Sequence, residues 1–182
     1  MTTEAAANRR SADCAGEAST GFGSKLAGKF MTFKLSNEQY GLEILKVREI
    51  IGLMEVTRVP RTPDFIRGVI NLRGKVIPVI DLRLKFGMGK TENTDQTVII
   101  VVQYDADGTD LTMGVLVDEV LEVLNIDAGW IEPPPNFGAG SDDSDFILGV
   151  GKVDARVVFL MDINRVLSSE ETTKLVSAAQ TT

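Results

Sequence analysis

Short apolar runs alternate with clusters of turn-forming residues along most of the chain. Runs rich in Val, Ile and Leu, bounded by Gly, Pro, Asn or Asp, predict strands at 30–35, 40–44, 49–53, 69–72 and 76–80. A second set is predicted at 98–103, 111–117, 120–124, 147–153 and 157–161. Pro78 has no N–H to give to a ladder, so its strand needs an edge or a bulge there. Groups of five short strands are best served by closing into small barrels, because closure removes exposed edges. Asp81 and Asp162 sit where helix N-caps belong, ahead of short helical turns at 82–86 and 163–167. Ser168 with Glu171 fits a capping box that opens a C-terminal helix, with Leu175, Val176 and Ala179 among its apolar positions. The expected class is mostly β: two five-stranded β-barrels with short helical turns and a C-terminal helix.

The two sets repeat one another. Phe65-Ile66-Arg67-Gly68-Val69, then Val76, Ile77, Val79, Ile80, Asp81 and Leu82, match Phe146-Ile147-Leu148-Gly149-Val150, then Val157, Val158, Leu160, Met161, Asp162 and Ile163, at an offset of about 81. Upstream the offset is about 73, and there Gly41, Leu42, Ile44, Val47, Glu49 and Ile50 fall on Gly114, Val115, Val117, Val120, Glu122 and Val123. The difference implies about eight extra residues in the second copy, which the Gly-, Ser-, Asp- and Pro-rich stretch 134–145 can hold. Residues 1–28 carry almost no large apolar side chains and read as a flexible tail. The expected organisation is thus a tail at 1–28, one domain at 29–170 and a helix or tail at 171–182. Within the domain, subdomains at about 29–90 and 91–170 are expected, with exchange of terminal segments between the barrels allowed.

Composition removes whole classes of chemistry. The chain has 182 residues, 43% of them apolar and 25% charged, enough to bury a core. It contains no histidine, so triads built on imidazole, Cys/His zinc sites and a phosphoaccepting histidine are excluded. Its carboxylates show no spacing that marks an acid/base pair, and no enzymatic activity and no cofactor are expected. Gly89-Lys90-Thr91 resembles the end of a phosphate loop, but Leu84 stands where the first Gly should be. Asp142-Asp143-Ser144-Asp145 lacks the central Gly and terminal Glu of a calcium loop. The apolar runs are too short to span a bilayer, and neither Arg9-Arg10 nor Cys14 has the apolar flank of an export or lipidation signal. A cytoplasmic protein without direct membrane insertion is expected. The single Cys cannot form an internal disulfide.

Charge divides the copies. Arg58, Arg61, Arg67, Arg73, Lys75, Arg83, Lys85 and Lys90 face only Asp64 and Asp81 between Arg58 and Lys90, whereas 91–151 contains no Lys or Arg. Two differently charged modules suit head-to-tail contact with a complementary partner. Nucleic acid is not an expected partner, because the acidic half repels phosphate and no basic stripe is interleaved with aromatics.

The runs Tyr40-Gly41-Leu42-Glu43-Ile44-Leu45-Lys46-Val47-Arg48-Glu49-Ile50, Thr62-Pro63-Asp64-Phe65-Ile66-Arg67-Gly68-Val69-Ile70-Asn71-Leu72-Arg73-Gly74 and Ile77-Pro78-Val79-Ile80-Asp81-Leu82-Arg83 resemble the CheW family over about 29–171. That resemblance implies two SH3-like barrels around a shared apolar core. It implies an adaptor, monomeric alone, that couples methyl-accepting chemoreceptors to the histidine kinase CheA in membrane-associated arrays. One surface would grip the cytoplasmic signalling tip of the receptor, and another the CheA regulatory domain, the two proteins alternating in rings. By position, Ile44, Val47, Glu49, Gly68, Arg73 and Val120 would line or support the receptor groove. Val98 and Ile99 would face the kinase, and Phe137 would make a ring contact. Two alternatives stay open: a CheW-like coupling protein of a non-chemotaxis kinase pathway, and a ligand-binding double β-barrel.

Overall fold

The computed structural model describes residues 24–89, 92–106, 108–134 and 146–180. Eleven strands run β1 (Gly28–Leu35), β2 (Glu38–Glu43), β3 (Val47–Gly52), β4 (Ile66–Leu72), β5 (Lys75–Asp81), β6 (Val98–Ala106), β7 (Thr109–Val117), β8 (Glu119–Ile126), β9 (Ile131–Glu132), β10 (Ile147–Val153) and β11 (Arg156–Met161). Ten fall on the expected runs; the addition is the two-residue β9. The fold is mostly β, in two sheets, as the pattern predicts. The first sheet has the order β8-β1-β2-β11-β10-β9, and the second β3-β6-β7-β5-β4.

The chain leaves the first sheet through a 3-10 turn at Ile44–Lys46 and returns from the second through Asp118 alone. The second sheet is therefore a continuous insertion, β3 to β7, between β2 and β8. Each sheet takes strands from both sequence copies, and residue 90 falls within the second sheet's span.

The repeat is visible in the pairing. β5 runs parallel to β7 with Val79 opposite Gly114, and β11 runs parallel to β2 with Leu160 opposite Gly41, the same positions one copy apart. Asp81 N–H donates to the Phe65 carbonyl at 2.7 Å and Asp162 N–H to the Phe146 carbonyl at 2.8 Å. Bulges follow at Ile66/Gly68 and at Ile147/Gly149. Pro78 faces Val69 of β4, and β7 joins β5 only from Val79 onward, so the missing N–H falls where β5 is locally an edge.

Both sheets curl. β8 and β9 end the six-strand order on opposite sides, yet only residues 127–130 join them. A flat sheet would separate them by about 24 Å, five strand spacings. Five Cα steps reach at most about 18 Å. In the second sheet, Thr57, just past β3, exchanges two 2.8 Å backbone hydrogen bonds with Val69 of β4, joining the two ends of that order.

Curling creates three apolar clusters. Phe30, Ile126, Ile131, Val158 and Leu160 fill the first sheet, and Leu26, within the expected tail, packs against them. Ile70, Ile77, Val79, Ile99 and Leu116 fill the second. A larger cluster, including Phe33, Leu42, Ile80, Ile100 and Met161, lies between the sheets and receives Leu175 from the C-terminal helix Ser169–Gln180. Tyr40 extends it, with ring centroids 5.7 Å from Phe86 and 5.6 Å from Phe159. The expected caps are in place: Asp81 and Asp162 side chains accept from Arg83 N–H and Asn164 N–H. Ser168 N–H donates to Glu171 Oε2 at 2.7 Å, and Glu171 N–H to Ser168 Oγ at 3.2 Å.

Candidate functional site

Three of the six residues proposed for the receptor groove, Ile44, Val47 and Val120, lie where the chain changes sheets. Ile44 opens the first crossover and Val47 begins β3, while Val120 lies two residues past the second crossover, on β8. Val47 and Val120 are the same position in the two copies. Ile44, Val47 and Val120 are all half-buried and pack against the cluster between the sheets, so they border a seam rather than fill an interior.

Glu49 and Arg73 meet at the end of the second sheet. Arg73 Nη2 lies 2.9 Å from Glu49 Oε2, with Arg73 78% and Glu49 28% exposed. The local sequence sets this geometry. Leu72 pairs with Lys75, leaving Arg73 (φ 53°) and Gly74 (φ 85°) as a two-residue hairpin loop with both φ positive. Asn71 Oδ1 accepts from Gly74 N–H at 3.0 Å and steadies the turn. The other copy has the same loop at Asp154 (φ 49°) and Ala155 (φ 62°), but Asp154 stands where Arg73 does, and Glu122, the repeat of Glu49, instead meets Arg156, the repeat of Lys75, at 3.2 Å.

Gly68 lies on β4 with φ 141°. A Cβ there would stand 2.0 Å from the Thr57 carbonyl oxygen, because the Thr57 bridge brings backbone against backbone. Its geometric task is to admit that closure. Val98 is half-buried against the cluster between the sheets, whereas Ile99 is 0% exposed inside the second sheet and offers no surface of its own. Phe137 lies outside the described residues.

Sequence reasoning missed two features. Arg83, grouped above with the basic residues, is 1% exposed. Its guanidinium donates to both oxygens of Asp81 (Nε 3.1 Å, Nη2 3.0 Å), to Asp118 Oδ1 (Nη1, 2.8 Å) and to Asn93 Oδ1 (Nη2, 3.3 Å). Burial alone would lower its pKa, but the Asp81 bonds and the charges of Asp81 and Asp118 outweigh it and raise the value further. Only the Asp-x-Arg spacing of Asp81 and Arg83 hinted at this. The second feature is exposed apolar surface. Leu45 is 80% exposed at the first crossover, and Ile50, Leu53 and Met54 are exposed on and just beyond β3. Val56, Ile66 and Leu84, with Arg58, Arg67 and Asp64, line a neighbouring groove of about 570 Å³.

These features suit docking: an apolar seam, a partly exposed ion pair at the end of the second sheet, and apolar surface beside basic side chains. Among the described residues no three His, Cys, Asp or Glu side chains are grouped to hold a metal ion, and no helix is long and apolar enough to cross a membrane.

Comparison with known proteins gives one answer. The family model for the CheW-like domain matches residues 29–171. The chain is 44% identical over 153 residues to the chemotaxis protein CheW of Klebsiella aerogenes, covering 81% of this chain and 89% of that one. It is 34% identical over 152 residues to CheW of Bacillus subtilis, covering 84% and 94%. The crystal structure of the scaffolding protein TtCheW from Thermoanaerobacter tengcongensis superposes with a TM-score of 0.70 at 38% identity, covering 80% and 97%. With two curled sheets and repeated pairing, the chain belongs to the CheW-like domain family, a family of chemotaxis scaffolds.

Proposed function

We propose that this chain is an adaptor that couples transmembrane chemoreceptors to the histidine kinase CheA. The observation that carries the reading is the half-buried seam between the sheets, bordered by the equivalent Val47 and Val120 and by Ile44. An amphipathic helical tip laid along such a seam buries its apolar face, a common recognition mode. Glu49, half-buried, and the exposed Arg73, joined at 2.9 Å, then fix the register of that helix through charge-assisted bonds. Gly68 supports the groove from behind through the Thr57 closure.

The kinase takes a second surface. Val98 is half-buried at the start of β6, Ile99 packs the strand beneath it, and Phe137 supplies the ring contact. The protein then acts in the cytoplasm, drawn to membrane-associated receptor arrays by its partners.

The test is co-assembly. Purified protein is mixed with a receptor signalling-domain fragment and CheA, and co-sedimentation is followed together with ATP turnover by the kinase. Ternary assembly with raised turnover is the expected result. Folded, matched components that neither assemble nor change turnover would sink the proposal.

A further inference from the structure

Among the described residues, Arg83 is the bulkiest side chain that the fold buries completely, and no docking surface described above uses it. Removing a guanidinium from water is costly, and a buried ion pair is weak evidence for stability. Its better-attested use is to select one arrangement of the parts it joins. The parts joined here are the two sheets. Arg83 holds Asp81 at the end of β5, in the second sheet, and reaches Asp118 at 2.8 Å. Asp118 is the single residue by which the chain returns to the first sheet. Its other carboxylate oxygen accepts from Ser36 N–H at 2.6 Å in the β1–β2 turn, and its own N–H donates to the Lys34 carbonyl at 3.1 Å. An unbroken hydrogen-bonded path therefore runs from β5 of one sheet to β1 and the β1–β2 turn of the other.

The first crossover has no equivalent. The position that repeats Asp118 is Leu45, apolar and 80% exposed, and the turn Ile44–Lys46 has no side-chain cap bond. The position that repeats Arg83 is Asn164. Asn164 Oδ1 accepts from Asp105 N–H of β6 at 3.0 Å, so the second copy joins the sheets by a neutral hydrogen bond where the first uses a buried ionic link that runs through a crossover. Val120 lies two residues beyond the locked crossover, and Val47 two residues beyond Leu45.

We propose that Arg83 is a positioning residue that fixes the first sheet against the second through Asp118, and so sets the spacing of the seam that receives the receptor. Only the last step rests on the adaptor reading.

The test measures sheet spacing and docking separately, in the full-length chain. With Cys14→Ser, spin labels are placed at Lys75→Cys in the second sheet and Lys152→Cys in the first, both exposed positions. The distance distribution between them is measured by double electron–electron resonance, with Arg83 intact, with Arg83→Met and with Asp118→Asn. One narrow distribution is expected with Arg83 intact, and one at least about twofold broader with Arg83→Met, since loss of a discrete link between packed units frees their relative motion. Asp118→Asn keeps an acceptor for Ser36 N–H and gives an intermediate width. It also decides the matter if Arg83→Met, which leaves two carboxylates unpaired, does not fold. An unchanged distribution in the folded variants overturns the positioning role. In the second arm, receptor-fragment affinity falls about tenfold, within the range by which a residue outside a site modulates binding, and affinity for the CheA regulatory domain falls less. Equal losses for both partners overturn the link to the seam. Broadening in a chain whose parent binds no receptor fragment leaves the lock standing and removes the adaptor reading instead.

Discussion

Gly68 and Gly74 both carry positive φ, but the fold needs them for different reasons. A Cβ on Gly68 collides with the Thr57 carbonyl at 2.0 Å, whereas one on Gly74 meets nothing within 4 Å. Gly74→Ala pays only for its backbone conformation and costs about 1 kcal/mol. Gly68→Ala must also separate β4 from the segment that closes the second sheet, and costs about 3 kcal/mol or more. Urea unfolding of the two variants checks the difference; equal midpoints would show that the Thr57 closure is not tight. Ala155 presents the reverse case. Its φ of 62° is a conformation that an L side chain adopts at a cost of about 1–2 kcal/mol. Ala155→Gly, which makes the loop Asp-Gly, should raise stability by about 1 kcal/mol, read as a higher melting temperature. The Arg73-Gly74 turn was legible in sequence because its chemistry is local. The task of Gly68 was not, because its partner is eleven residues away across a sheet closure.

Among elements, the caps were legible and the attachments were not. Ser168 and Glu171 signal a helix start from a spacing of three residues, and Asp81 and Asp162 do so from two. What docks the C-terminal helix comes from far along the chain. Lys85 Nζ meets Glu171 Oε1 across 86 residues, and Tyr104 Oη shares a 2.6 Å hydrogen bond with Thr172 Oγ1. β9 escaped notice because two residues carry no periodicity. Glu171 therefore serves twice, in the cap and in the Lys85 pair. Burial would raise its pKa, but the Lys85 bond, the Ser168 backbone bond and the Lys85 charge outweigh that and lower it below 4.5. A carboxylate whose folded pKa is depressed contributes stability that is fully present above its unfolded pKa. That contribution is lost as pH falls through the folded value. Acidification below about pH 4.5 should loosen this helix, seen as faster amide exchange there. Glu171→Gln should remove that part of the pH dependence and lower stability by about 1 kcal/mol at pH 7. If the variant keeps the parent's full acid sensitivity, other carboxylates control the helix.

For the whole molecule, the duplication was legible but the assignment of strands to sheets was not. Equivalent residues show that two copies exist, yet β3 and β8, equivalent in sequence, could each have joined either sheet. The choice is made by the crossovers at Ile44–Lys46 and Asp118 and by the cluster they enclose, which involves residues from both sheets. The resulting near-symmetry supplies a test. Arg73 with Glu49 and Arg156 with Glu122 are ion pairs on opposite sheets that share equivalent carboxylates but not equivalent arginines, and each reaches solvent. Exposed pairs contribute at most about 1 kcal/mol, so Arg73→Ala and Arg156→Ala should each shift unfolding only slightly. Structure alone would rank the two alike. Function should not, because Arg73 stands at the end of the proposed receptor seam and its neighbour Gly74 completes the turn that presents it. Arg73→Ala is expected to reduce co-sedimentation with the receptor fragment by about tenfold in affinity, the scale of a lost charge-assisted contact. Arg156→Ala should leave it within about twofold. Equal effects from both would mean that receptor docking senses overall charge rather than the Glu49–Arg73 site. A loss of folding in Arg73→Ala alone would make that arginine part of the scaffold.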